Sequence, residues 1–173
     1  FRKDVATDGR RAVVSFAETL EEDAQRRDFT MNALYADADG NVIDPTGGLS
    51  DLENRSFRFI GDAHQRIRED YLRILRFFRF HAWYGRDLDA DGLAACAELA
   101  EGLSQLSTER VTAEIEKLLG ATDPAPAVAS MEAAGVLQNV LPDADAKAFT
   151  RAVHFLADAA APVDPIARLA ALT

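Results

Sequence analysis

The chain has 173 residues, 48% of them apolar, enough to build a real core in one ordinary domain or two small ones. Its formal net charge of −10 at pH 7 argues, taken alone, against a polyanionic partner. No apolar run approaches the roughly 20 residues of a bilayer span, and the start Phe1-Arg2-Lys3-Asp4 lacks a signal-peptide stretch. The single cysteine, Cys96, lies among Ala94, Ala95 and Ala97; it reads as a core residue and offers neither an internal disulfide nor a thiolate cluster. The expectation is a soluble, cytoplasmic protein with no membrane and no disulfide-linked partner.

In chain order, residues 1 to about 59 carry short, β-leaning signals. Ala12 to Ala17 reads as a strand, and Thr19 before Leu20-Glu21-Glu22-Asp23 is an N-cap with an acidic first turn, predicting a short helix to about Arg26. Leu34-Tyr35-Ala36 and Val42-Ile43-Asp44 flank the turn residues Asp37 to Asn41 and predict a hairpin. The pair Gly47-Gly48 after Pro45 predicts a mobile or structural turn that opens a helix at Leu49; it lacks the lysine and spacing of a P-loop. After Gly61 the pattern is helical: 63–69, then Tyr71 to Trp83 ended by Gly85, then 91–102, 108–119 after Ser107, 125–134, 144–159 and 165–172, punctuated by prolines. The predicted fold class is α+β, mainly α. The chain starts in a strand pattern and ends in a helical one, which suggests a fragment of a longer protein.

The charge is unevenly spread. Between Arg55 and Arg86 eight arginines face three acids, a net +5 over 32 residues, leaving −15 on the rest. Arginine suits bidentate contact with phosphates and base edges better than lysine does. On a helical wheel, Tyr71, Ile74, Leu75, Phe78 and Ala82 share one arc, while Arg73, Arg76 and Arg79 fall opposite with Asp70 at their edge. A solvated basic face is the plain structural reading. Against it, no acid after Asp70 supplies i,i+4 partners within the stripe, so the face should be repulsive unless an anion meets it.

Asp70 and Arg73 set an acceptor beside a forked donor. That complements cytosine and adenine, each of which places an amino donor next to a ring-nitrogen acceptor; guanine and uracil place a carbonyl there instead. In the segment Arg26 to Leu34, Arg27 suits a triphosphate and Asp28 or Asn32 a ribose hydroxyl; equally, the arginines answer a helix dipole and Asp28 caps a turn. His81 falls on the apolar arc and reads as a satisfied core residue, His64 and His154 have no ligand spacing, and Phe77, Phe80, Trp83 and Tyr84 read as packing.

Three strings, RRDFTMNALY at 26–35, DPTGGLSDL at 44–52 and REDYLRILRFFRF at 68–80, together resemble the class II nucleotidyltransferase family of tRNA nucleotidyltransferases and bacterial poly(A) polymerases. A weaker match, Glu109 to Leu119, is similar to the family's neck helix. The resemblance implies the C-terminal remnant of a mixed nucleotidyltransferase head domain at 1–60, an all-helical nucleotide-reading neck at 61–122 and the start of a helical body at 123–173. It further implies that Arg27 binds the triphosphate or ribose and that Asp70 and Arg73 pair with the incoming C or A. Arg76 and Arg79 would complete the site, Asp28 and Asn32 would support ribose and loop, and Gly47-Gly48 would belong to a hinge-like motif.

In that family Mg²⁺ is held by carboxylates upstream of the RRD segment, and nothing in residues 1–22 matches their signature, so Asp4 and Asp8 are not assigned to it. The expectation is that this chain has no catalytic or metal-binding residue and is inactive alone, while the whole protein adds CCA to tRNA 3′ ends from CTP and ATP by two-metal phosphoryl transfer. A poly(A) polymerase or a CC- or A-adding enzyme fits the same segments. From another class, a non-catalytic helical RNA-binding module would use the arginines on phosphates and ignore base identity.

Overall fold

The apolar arc after Tyr71 lies at the centre of the core, and the helix that carries it packs against helices before and after it in the chain. The structure, a computed structural model, describes residues 3–8, 11–15 and 19–173, with side chains described from Thr19 onward. Strand β1 (Lys3–Asp8) pairs antiparallel with β2 (Arg11–Ser15), with a register shift between Asp4 and Ala6. The strand expected over Ala12 to Ala17 is present as β2; Phe16 and Ala17, and the side chains of Asp4 and Asp8, lie outside what is described.

Helix α1 (Leu20–Gln25) starts where Thr19 Oγ1 accepts from the Glu22 amide at 3.2 Å, the predicted cap. A 3-10 turn (Thr30–Ala33) leads into the hairpin of β3 (Tyr35–Ala36) and β4 (Val42–Ile43), whose turn is held by the Asp37 carboxylate accepting from the Asn41 amide at 2.8 Å. Helix α2 (Gly48–Asn54) begins at the second of the paired glycines, with Gly47 as its N-cap. Backbone conformation explains the first glycine and packing the second. Gly47 has φ +75°, and any Cβ on Gly48 would overlap the Thr30 carbonyl. Asp44 closes this turn by accepting from the Gly48 and Leu49 amides at 2.8 and 2.9 Å, and Thr46 Oγ1 donates to Thr30 O at 3.2 Å. Of the two readings offered by the sequence, mobile or structural turn, the structural one fits this geometry.

The helical part runs α3 (Ala63–Glu69), α4 (Leu72–Tyr84), α5 (Ala90–Glu98), a 3-10 turn (Ala100–Gln105), α6 (Thr108–Leu119), α7 (Ala125–Ala133), α8 (Leu137–Val140), α9 (Ala146–Asp158) and α10 (Pro165–Leu172). The expected helix over 91–102 is split at Leu99, whose backbone (φ −107°, ψ 10°) leaves the α-helix; in the 3-10 turn that follows, Gly102 lies flush against the Tyr71 ring, where a Cβ would overlap it. Short α8 is not anticipated by the sequence, and α9 starts at 146 because Asp145 caps it, accepting from the Ala148 amide at 2.8 Å.

Helix α4 buries Ile74, Leu75, Phe77 and Phe78, against which Leu118 and Leu119 of α6 and Val128 and Met131 of α7 form one core. The front of the chain joins the same core through Phe29, which is fully buried with its ring centroid 4.9 Å from Phe59 and 6.2 Å from Phe77. Each such phenylalanine contributes roughly 1.5–3 kcal/mol on burial, so the RRD segment is anchored on α4 by its own aromatic. Among the described residues, no helix is long and apolar enough to cross a membrane.

Candidate nucleotide-binding cleft

The start of α4 differs from the wheel. Asp70 is not on the helix: its backbone is extended, with φ −159° and ψ 105°, between the end of α3 and the first turn of α4. Its Oδ1 accepts from the Leu72 amide at 3.1 Å, so the carboxylate helps to satisfy the open amides of α4 while standing apart from the arginine row.

The arginines are also not without acids. Arg73 meets Glu69 at 2.6 Å, Arg76 Nε meets Asp28 Oδ2 at 2.7 Å, and Arg79 Nε meets the buried Glu114 Oε2 at 2.6 Å. The expectation of a repulsive stripe fails because Asp28 comes from the turn after α1 and Glu114 from α6, positions that a single-helix reading does not include. Glu69, on the preceding turn, is itself shared with Arg66.

These contacts build a cleft of about 500 Å³. Arg26, Arg27, Asp28 and Asn32 form one wall, Asp70, Arg73, Arg76 and Phe80 the other, and Arg110 of α6 lies at the edge. Arg27 donates from Nε and Nη2 to Asp23 Oδ2 at 3.0 and 2.9 Å and from Nη1 to the Asn32 carbonyl at 2.9 Å, with its guanidinium 5.2 Å from the Tyr35 ring. Burial disfavours the Asp23 charge, but hydrogen bonds from Tyr35, Arg26 and Arg27 outweigh it and hold the carboxyl at about 2. Asp28 follows the same logic: against burial, the Arg76 charge and the hydrogen bonds from Asn32 (2.8 Å) and the Phe29 amide (3.0 Å) hold its carboxyl below the usual range. The cleft is therefore lined by arginines and carboxylates that are paired with one another.

Of the residues singled out from sequence, Arg27, Asp28, Asn32, Asp70, Arg73 and Arg76 come together in this cleft. Arg79 does not. Stacked 4.0 Å above the Phe80 ring and bonded to Glu114, it lines a separate hollow with Trp83 and Lys117. Arg66 and Arg110 were not singled out. Arg66 reaches the Arg27 carbonyl and so ties α3 to the RRD segment, while Arg110 Nη2 meets Asp70 Oδ2 at 2.7 Å. The only sequence signal for Arg110 was its place in the weaker 109–119 match.

His81 is not a satisfied core residue: its Nδ1 has no hydrogen-bond partner among the described residues, and burial pushes its pKa down. Trp83 and Tyr84 are about half exposed, with Trp83 Nε1 donating to the Lys117 carbonyl at 2.6 Å, whereas Phe77 is buried as expected. His64 pairs with Glu98 at 2.8 Å. Cys96 is buried, which pushes its thiol pKa well up. Among the described residues, no three His, Cys, Asp or Glu side chains are grouped to hold a metal.

Comparison with known proteins identifies two family models. The poly A polymerase head domain matches residues 1–58, and the probable RNA and SrmB-binding site of polymerase A matches residues 87–148. The mitochondrial CCA tRNA nucleotidyltransferase 1 of Mus musculus is 48% identical over 124 residues, covering 68% of this chain and 28% of the mouse protein. The CCA-adding enzyme of Streptococcus sanguinis is 50% identical over 118 residues, covering 68% of this chain and 30% of its own length. The chain thus spans under a third of the curated relatives it matches. Among solved structures, the Bacillus stearothermophilus CCA-adding enzyme in complex with CTP superposes with a TM-score of 0.74 at 37% identity, over 91% of this chain and 37% of that one. The Thermotoga maritima CCA-adding enzyme complexed with tRNA shares the fold at 23% identity, with a TM-score of 0.73 over 89% of this chain and 41% of that one.

Proposed function

We propose, since the chain belongs to the nucleotidyltransferase family of poly(A) polymerases and CCA-adding enzymes, that its cleft selects the nucleotide in an enzyme adding CCA to tRNA 3′ ends from CTP and ATP. One observation carries the reading: the acceptor Asp70 and the forked donor Arg73 line the same cleft as Arg27 and Arg76. Asp70 accepts from the amino group of cytosine or adenine, and Arg73 donates to the neighbouring ring nitrogen. Arg27 and Arg76 face the triphosphate, Asp28 and Asn32 hold Arg76 and the ribose side, and Arg79 acts indirectly by fixing α4 on Glu114. A wrong base would turn its carbonyl toward Asp70, at a cost on the order of 1–3 kcal/mol.

The described acids do not fit a magnesium site, because Asp23, Asp28 and Asp70 each accept from arginine. The proposed function leaves Mg²⁺ to upstream carboxylates outside the described residues. It also assigns residues 1–60 to the head, 61–122 to the neck and 123–173 to the body, and places the protein in the cytoplasm with tRNA as partner.

The test gives the full-length protein tRNA lacking its 3′ end with CTP alone, ATP alone or both. Two C additions followed by one A support the reading, whereas long A tracts from ATP alone would make it a poly(A) polymerase. Asp70→Ala and Arg73→Ala should each change discrimination among the four nucleotides; unchanged discrimination in both would remove their pairing role.

A further inference from the structure

Asp70 has two carboxylate oxygens, and in this structure both are occupied. Oδ1 accepts from the Leu72 amide at 3.1 Å as part of the α4 cap, and Oδ2 accepts from Arg110 Nη2 at 2.7 Å. The first contact belongs to the backbone and holds the carboxylate in place. The second comes from a side chain on the first turn of α6 that lines the same cleft. Arg110 is the guanidinium bound to the acid proposed to read the base, and it offers Asp70 the same kind of N–H donor that an exocyclic amino group would offer.

We propose that Arg110 is a specificity-determining residue that stands in for the base: it satisfies Asp70 Oδ2 until a nucleoside triphosphate bearing an amino donor beside a ring acceptor takes that place. The inference rests on the assignment of Asp70 as the base-reading acid. The pair suits exchange. Arg110 and Asp70 side chains are 48% and 35% exposed, so the released guanidinium returns to water at little cost and the ion pair is weak. By contrast the Arg76–Asp28 pair, with Asp28 at 9% exposure, is part of the wall and is not poised to open.

Competition of this kind acts only on nucleotides that use Asp70. A base with an amino group must displace Arg110, so its apparent affinity is reduced by the fraction of molecules in which the pair is closed. A base that presents a carbonyl makes no bond to Asp70 and leaves Arg110 where it is; without Arg110 its carbonyl would face the bare carboxylate, so its affinity does not rise. Arg110 therefore lowers affinity for CTP and ATP but not for GTP and UTP. It also keeps Asp70 from standing as an unpaired charge in an empty cleft.

The experiment measures equilibrium binding of CTP, ATP, GTP and UTP to the full-length protein and its Arg110→Gln, Arg110→Lys, Asp70→Ala and Asp70→Ala/Arg110→Gln variants. Arg110→Gln is expected to tighten CTP and ATP about two- to fivefold, the range of a half-exposed ion pair, and not to tighten GTP and UTP. Arg110→Lys, which keeps the charge, should restore much of the parent affinity, and the effect of Arg110→Gln should vanish in the Asp70→Ala background. Weaker or unchanged CTP and ATP binding in Arg110→Gln overturns the proposal, as does equal tightening of all four nucleotides. If Asp70→Ala leaves discrimination intact, the base-reading assignment has failed; if it alters discrimination while Arg110→Gln has no effect, only the exchange role of Arg110 has failed.

Discussion

The Asp28 carboxylate bonds Arg76 through Oδ2 and Nε at 2.7 Å, tying the turn after α1 to the middle of α4 across 48 residues of sequence. The contact fixes the distance between the two walls of the cleft. Asp28 is nearly buried and Arg76 about one-third exposed, so removing either partner strands the other in a poorly hydrated place. Asp28→Ala and Arg76→Ala should each lower stability by about 1–3 kcal/mol, with the double variant costing clearly less than the sum. Urea unfolding of the four proteins measures the coupling, and strict additivity would deny it.

Acid should loosen the same region. Asp23 titrates at about 2 in the folded protein against an ordinary value of 3.8, and Asp28 is shifted in the same direction. A depressed carboxylate contributes stability above its unfolded pKa and loses it as pH falls toward the folded one. The contribution of Asp23 is therefore complete above about pH 4 and lost between about 4 and 2. Denaturation midpoints across that window should fall less steeply for Asp23→Asn than for the parent, even though the variant is less stable at neutral pH. Parallel curves would show that Asp23 does not drive the acid response.

Helices α6 and α10 coincide with their sequence-predicted bounds because their apolar period and their start signals, Ser107 before α6 and Pro165 at the head of α10, lie within or beside the segment itself. Asp70 lies between the helices read over 63–69 and 71–83, yet the wheel carries it as a helical residue; its extended backbone instead sets its carboxylate on the Leu72 amide, a local contact that periodicity does not register. The cleft was legible as strings of residues but not as geometry. Arg79 was grouped with Arg73 and Arg76 by its spacing, whereas its true partner, Glu114, lies 35 residues away on another helix. Arg110 fell beyond the arginine-rich window, and its role depends on α6 crossing the start of α4. Contacts between distant segments decide these cases, and periodicity carries no record of them.

Gly48 and Gly40 separate two reasons for glycine. Gly40 has φ +85° with open space around it, so Gly40→Ala should cost about 1 kcal/mol from backbone strain alone. A Cβ on Gly48 would instead run into the Thr30 backbone, which is itself bonded to the Arg58 carbonyl at 3.0 Å and has little freedom to shift. Gly48→Ala should cost about 2–3 kcal/mol and disturb the neighbouring RRD wall of the cleft. Thermal melts rank the two; a smaller loss for Gly48→Ala would mean that the turn can move away from Thr30.

Arg168 holds the last helix in place through carbonyl oxygens. It is buried, and its Nη1 donates to Leu119 O and Ala121 O at 2.7 and 2.6 Å while Nη2 reaches Thr122 O at 3.1 Å. These oxygens are at the C-terminal end of α6, where a cation is favoured and main-chain acceptors have no intrahelical donor. Burial lowers the arginine's pKa, but a guanidinium remains charged at any pH at which the fold persists. Arg168→Ala removes three donors at once and leaves buried acceptors open, a loss of about 3 kcal/mol or roughly 6–12 °C in Tm. Arg168→Lys keeps the charge but cannot span three oxygens with a planar fork, so it should recover only part of that loss. Because α6 also carries Glu114, which holds Arg79 of α4, Arg168→Ala should weaken nucleotide binding as well as the fold. A Tm within about one degree of the parent's would show that apolar packing alone, through residues such as Leu169 and Leu172, is enough to seat α10.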